Sequence, residues 1–242
     1  MSGSDVSVVL AHGAWADGSS WSKVIVALQA KGVTTVAAPL PLTSLPDDVA
    51  ALDRAAERVD GQLVLVGHAY GGAVIGSTRN QRVKSLVFVA GLAPAQGETV
   101  ADVFYRATPH PQAPKLAPDG HGLLWLPSDA FATTFAQDAT RGEQALLSAV
   151  QRPISPACIS LAVERPLWEN RPSWFLIAER DRMIVPETQR FMADRMKARV
   201  YSHPVDHVPM ITAPAAVVDL ILDAVHALEA IHAPLSTTEQ TR

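Results

Sequence analysis

Six short stretches of the chain are largely apolar: residues 6–11, 33–38, 63–66, 85–90, 174–178 and 198–202. Most show no alternation with polar residues, which predicts strands of a parallel sheet covered on both faces. Between them lie helical patterns with readable ends. Ser19 or Ser20 is the expected cap of a helix that places Trp21, Val24, Ile25 and Leu28 on one face, with Gly32 as its stop. Pro46-Asp47-Asp48 opens a second, with Val49, Leu52, Ala56 and Val59 on one stripe ahead of Gly61. Pro186 starts a third, and residues 213–231 form the last. Strand–helix alternation of this kind implies right-handed βαβ units in an open sheet of about six strands, with helices on both faces.

That rhythm breaks between residues 97 and 171, where prolines are dense and strand patterns vanish. Three short helices are expected there. Ser128 caps one, Thr140 and Glu143 form a capping box for the next, and Ser155-Pro156 opens the third. The expected organisation is an α/β core from residues 1–96 and 172–235, a helical lid at 97–171 and a polar tail at 236–242. A lid inserted after the fourth strand would cover the carboxyl ends of the strands, where open α/β sheets bind ligands.

Composition narrows the field. The 242 residues carry 20 basic and 24 acidic side chains, a net charge of −4, and 48% of them are apolar. This is neither a disordered chain nor one with the basic excess of a nucleic-acid partner. No apolar run approaches the ~18 residues of a membrane span. The first basic residue is Lys23, so no secretory signal precedes the first strand, and a cytoplasmic protein is expected. Cys158, the single cysteine, reads as a buried structural thiol.

The most informative stretch runs from Leu63 to Ile75: a buried strand, then Gly67-His68-Ala69-Tyr70-Gly71-Gly72, then a helix. Small residues crowding a strand-to-helix turn are the setting of the Gly-x-Ser-x-Gly nucleophile elbow. The residue such a turn lifts to the top of the sheet is Ala69, which has no nucleophilic atom. A P-loop is excluded because Ala73-Val74 stands where a lysine and a hydroxyl residue are required. No Gly-x-Gly-x-x-Gly opens the first unit, and no metal-ligand spacing is present, so neither cofactor nor metal is expected.

Four segments in order carry a resemblance to the α/β-hydrolase superfamily, in its small branch of plant methylesterases, hydroxynitrile lyases and related bacterial esterases. They are Leu10-Ala11-His12-Gly13-Ala14-Trp15 with Trp21 after it, the elbow at 67–72, Ala178 to Pro186, and Asp206-His207-Val208-Pro209-Met210. The resemblance implies the trimmed form of the fold, without the two leading strands. It places the triad acid at Asp181, the general base at His207 (with His203 as the fallback) and Ala69 at the nucleophile position. The oxyanion donors would be the backbone amides of Ala14 and Tyr70. His12 and His68 serve packing on this reading, and His110 and His121 are solvated loop residues.

An apolar cover from Phe104, Tyr105, Trp125, Phe131 and Phe135 is expected. Trp15, Trp125 and Phe104 are the candidate substrate-binding side chains, and the expected partner is a small, largely apolar molecule. Lid surfaces of such folds can also join two copies in a homodimer. Alanine at position 69 leaves three readings open. The first is a carboxylic ester, lactone or thioester hydrolase whose serine has been replaced, by design or by nature. The second is a His/Asp enzyme doing lyase- or isomerase-like proton transfer, and the third is a catalytically silent binder of small molecules.

Overall fold

The computed structural model describes residues 5–232; the tail expected at 236–242 and the last residues assigned to the core lie outside them. β1 (Val6–Ala11) leads through a 3-10 turn (Gly18–Trp21) into α1 (Ser22–Ala30) and β2 (Thr34–Ala38). α2 (Leu45–Ala56), β3 (Gln62–His68), α3 (Tyr70–Ser77) and β4 (Val83–Val89) follow. Before β5 (Ser173–Ala178) the chain forms α4 (Val100–Phe104), a π-helical turn (Phe131–Phe135), α5 (Arg141–Val150), α6 (Ala157–Ser160) and a 3-10 turn (Leu167–Glu169). α7 (Pro186–Arg195), β6 (Arg199–His203), α8 (Pro209–Thr212) and α9 (Pro214–His232) complete it.

The six strands pair in the order β2-β1-β3-β4-β5-β6, all parallel. The four central strands are almost wholly buried, as their unbroken apolar runs predict, whereas the edge strands β2 and β6 are half exposed. An edge strand lacks a neighbour on one side, so Arg199, Tyr201 and Ser202 are tolerated there. Helix α1 packs with α9 and α2 with α3, while α9 and α3 both lie along the central strands. The chain reverses direction across the sheet between β1 and β3, and the pairing of Ala11 with Gly67 sets the loops after these two strands side by side. This is the switch point at which such sheets open a crevice.

Several helix ends differ from expectation. Asp17, not Ser19 or Ser20, caps the turn before α1: its carboxylate accepts the amide of Ser19 at 2.8 Å. A carboxylate is the stronger acceptor, and the 3-10 turn moves the helix start to Ser22. Gly32 ends the unit in the left-handed region (φ 79°), as expected. Ser44 caps α2 and the stripe ends at Ala56, before Val59. The Ser128-capped helix is instead the π-helical turn, which spaces Phe131 and Phe135 so that both are fully buried. The Thr140–Glu143 capping box forms as read, and a second box, Thr99 with Asp102, starts α4.

Two features lock the region around the switch point. Glycine is required at 67 and 71 because the backbones touch: a β-carbon at Gly71 would stand 2.5 Å from the carbonyl oxygen of Ala11, and one at Gly67 the same distance from that of Gly71. The other is Asp48, which the helical pattern gave no reason to bury yet is fully enclosed. Its Oδ1 accepts the amide of Leu42 (2.7 Å) and its Oδ2 the hydroxyl of Tyr70 (2.6 Å), with Cys158 Sγ at 3.6 Å. Burial pushes the Asp48 carboxyl up from its ordinary range and the Cys158 thiol up to about 12. The thiol is therefore structural and unreactive. The Asp48 carboxylate thus joins the β2–α2 loop, the start of α3 and α6, and the Ser155 amide adds a bond to the Leu42 carbonyl.

Two outcomes follow from these contacts. Gly71→Ala forces backbone apart and should lower stability by about 2–3 kcal/mol, read as a fall in urea midpoint with unchanged slope. Asp48→Ala strands the Tyr70 hydroxyl and the Leu42 amide and should cost about 2–4 kcal/mol in the same titration, with Asp48→Asn costing less because an acceptor remains.

Candidate active site

The site grows from the turn between β3 and α3. Ala69 has φ 47° and ψ −118°, a conformation that costs a residue other than glycine about 1–3 kcal/mol. Backbone bonds on both sides impose it. The Ala69 amide donates to the Val89 carbonyl, and the Ala69 carbonyl accepts the amides of Gly72 (3.0 Å) and Leu92 (2.8 Å). The methyl group at this apex lines a cavity shared with Ala14, Trp15, Tyr70, Phe104 and His207.

The loop after β1 lies directly on this turn. A β-carbon on Gly13 would meet Ala69 Cβ at 3.0 Å and His68 Nδ1 at 2.9 Å. Trp15 is also held with positive φ (57°), its amide bonded to the Arg152 carbonyl and its indole N–H to the Leu124 carbonyl (3.0 Å). Tyr70 opens α3, so its backbone N–H has no carbonyl a turn earlier to serve. Ala14 and Tyr70 both line the cavity beside Ala69, and the start of a helix favours negative charge.

His207 and Asp181 are buried together: His207 Nδ1 lies 2.8 Å from Asp181 Oδ2. Asp181 follows β5 in a tight turn. Its Oδ1 accepts the amides of Met183 (2.7 Å) and Ile184 (2.9 Å), and its Oδ2 also accepts Gln189 Nε2 (2.9 Å). Gln189 is itself fixed, accepting the Ala178 amide and donating to the Ile184 carbonyl. With Nδ1 on the carboxylate, Nε2 is the imidazole nitrogen left to act on a bound molecule. Phe135 covers the ring at 5.2 Å between centroids, and Trp15 meets Phe135 edge to face at 6.4 Å.

Two further histidines back this pair. His68 Nε2–H donates to the His207 carbonyl (2.7 Å), and its ring lies 4.7 Å from that of His207. His12 Nδ1–H donates to the Gly13 carbonyl. Each leaves its other nitrogen buried with no partner among the described residues. Desolvation by burial lowers both, His12 to about 4, so both are neutral near pH 7. Their work is to hold the loop and the base.

Of the remaining candidates, Phe104 and Trp15 line the cavity and Trp125 does not. Trp125 is 44% exposed, its indole N–H bonded to Asp119 Oδ2 at 2.9 Å. Leu124 bridges antiparallel to both Pro118 and Ile154, and the two-residue period of an extended segment turns Leu124 inward and Trp125 out. Phe131 and Phe135 pack beneath the surface, Tyr105 lines the mouth, and His203 ends β6 away from the cavity. His121 is exposed, and His110 is half-buried. Asp48 and Gln189, which fix Tyr70 and Asp181, carried no local signal in the sequence.

The chain matches the alpha/beta hydrolase family over residues 8–220. Comparison with curated protein sequences found no match. Among solved structures, the pyrethroid hydrolase PytH is 20% identical with a TM-score of 0.79, aligned over 93% of this chain and 98% of its own. Polyneuridine aldehyde esterase is 18% identical with a TM-score of 0.73, over 90% and 98%. Tomato methylketone synthase I, complexed with 2-tridecanone, is 19% identical with a TM-score of 0.71, over 91% and 97%. No helix among the described residues is long and apolar enough to cross a membrane. The parallel sheet, the strained turn after β3 and the match across most of the sequence agree: the chain belongs to the alpha/beta hydrolase family.

Proposed function

We propose that this chain is an acid–base enzyme acting without a covalent nucleophile on a small, largely apolar carbonyl compound. The observation that carries this reading is the methyl group of Ala69 at the strained apex, in one cavity wall with His207, whose imidazole is bonded to Asp181. An acyl-enzyme needs an oxygen or sulfur at that atom, and none exists. Hydrolysis would have to use a water in place of the missing hydroxyl, with His207 Nε2 as its one base, because the cavity wall carries no Asp, Glu, Lys or Arg.

Proton abstraction next to a carbonyl needs only what is present. The carbonyl oxygen points at the amides of Ala14 and Tyr70. His207 Nε2 takes a proton from the adjacent carbon, and the C–H electron pair moves to form an enolate whose charge the amides stabilise. Asp181 stabilises the imidazolium, and the proton returns to carbon to complete the turnover. That tomato methylketone synthase I was solved with 2-tridecanone supports an apolar ketone as the ligand class in this fold.

A second reading, ester hydrolysis through a His207-activated water, is favoured by the pyrethroid hydrolase and polyneuridine aldehyde esterase among the similar folds. It uses the same base and the same amides on a different electrophile.

Exchange of the α-hydrogens of alkan-2-ones in deuterated water, followed by proton NMR, tests the first reading. The protein should accelerate it, and His207→Ala should remove at least about 100-fold of the effect. Exchange no faster than with the His207→Ala variant sinks the proposal, and steady ester turnover by the unaltered chain puts the second reading in its place. Restoring an oxygen at the apex is the complementary experiment. Ala69→Ser should hydrolyse short p-nitrophenyl esters with an initial burst, and adding His207→Ala should abolish it.

A further inference from the structure

A second cavity adjoins the first, and the residues Phe104, Tyr105, Leu116 and Met183 belong to the walls of both. It is larger than the first, and its chemistry differs. Where the inner cavity is apolar apart from His207, the outer one adds Lys115 and His110, with no Asp or Glu in its wall. Among the described residues Lys115 has no ion-pair partner. His110 Nδ1 accepts the amide of Gln112 (3.1 Å), so its ring hydrogen sits on Nε2, free to donate. The net charge of the chain is −4, so a chamber wall with a lysine and no acid is a local reversal of sign.

We infer that the substrate is an elongated amphiphile, with its reactive carbonyl at Ala69, an apolar stretch past Phe104 and Met183, and a carboxylate in the outer chamber against Lys115 and His110. This deepens the proposed carbonyl chemistry and rests on it for the placement of the reactive end. With the two amides and His207 taken up by the reactive carbonyl, a terminal carboxylate on the same molecule has no further partner in the inner cavity. At the mouth it keeps part of its hydration and gains a lysine. Pro109 and Pro114 fix φ at two positions of the outer wall, and α4 is anchored by the Thr99–Asp102 box, which lowers the ordering cost of binding there. Tyr105, 58% exposed and packed edge to face on Phe104 at 4.9 Å, extends the apolar track to the surface.

Binding measured by calorimetry separates this from the chemistry. The probes are methyl ketones bearing a terminal carboxylate, in a series of chain lengths, each paired with the alkan-2-one of equal length. At the length that spans both cavities the keto acid should bind about fivefold more tightly than its partner, with the advantage shrinking as salt is raised. Lys115→Gln should erase the advantage and Lys115→Glu reverse it, while alkan-2-one affinity stays the same and reports an intact fold. Equal binding of the pairs at every length, or an advantage that survives Lys115→Gln, overturns the inference. A keto-acid preference that vanishes in the lysine variants, without any α-hydrogen exchange, keeps the outer chamber and removes only the proton-transfer reading.

Discussion

The structure turns on the close approach of three backbones: the end of β1, the turn at 67–72 and the loop after β4. Gly71 lets the first two touch, Gly67 lets the turn close on itself, and a β-carbon on Gly72 would lie 2.6 Å from the Leu92 carbonyl oxygen. Contact this tight leaves residue 69 one conformation, with φ 47°. The strain is held by the neighbouring hydrogen bonds and packing, not by the side chain at 69. An alanine therefore keeps the apex that a serine would occupy, together with the amides and imidazole around it.

From that constraint the site follows in layers. The parallel register of β1 and β3 sets the His12–Trp15 loop beside the apex. β5 and β6 end one and two strands beyond β4, and the turns that follow them deliver Asp181 and His207. Polar groups behind the cavity are mostly consumed in fixing one another: Gln189 on Asp181, His68 on the backbone of His207, Asp48 on Tyr70. What lines the cavity is left almost wholly apolar, with His207 among its few polar side chains.

The fold and the centre of the site were legible in the sequence because both rest on local signals. Unbroken apolar runs mark buried central strands. Glycines at fixed offsets mark the elbow, and a histidine before Pro209 marks the loop after the last strand. Side chains whose environment is set from afar were not legible. Asp48 sits beside Asp47 in the first turn of one helix, yet Asp47 is exposed and Asp48 enclosed, because the Tyr70 hydroxyl, 22 residues on, reaches only the second. Trp125 failed for a related reason. Hydrophobicity suggested the cavity, but the direction of an extended segment depends on its pairing with Ile154, which no local pattern announces.

The environment of Asp181 also limits what the proposed chemistry can do with its proton. Both carboxylate oxygens are occupied: Oδ1 by two backbone amides, Oδ2 by Gln189 and His207. A proton on either oxygen would face one of these donors, so taking it up would cost the carboxylate a hydrogen bond. Asp181 then acts as a fixed counter-charge, and a proton taken by His207 stays on the imidazole. His68 and His12 offer no onward route, since each is neutral, buried and aimed at backbone. The proton has two exits, back to the bound molecule or out through the cavity mouth. A site with that topology suits reactions that return a proton to carbon, which is the chemistry an apex without a nucleophile leaves open.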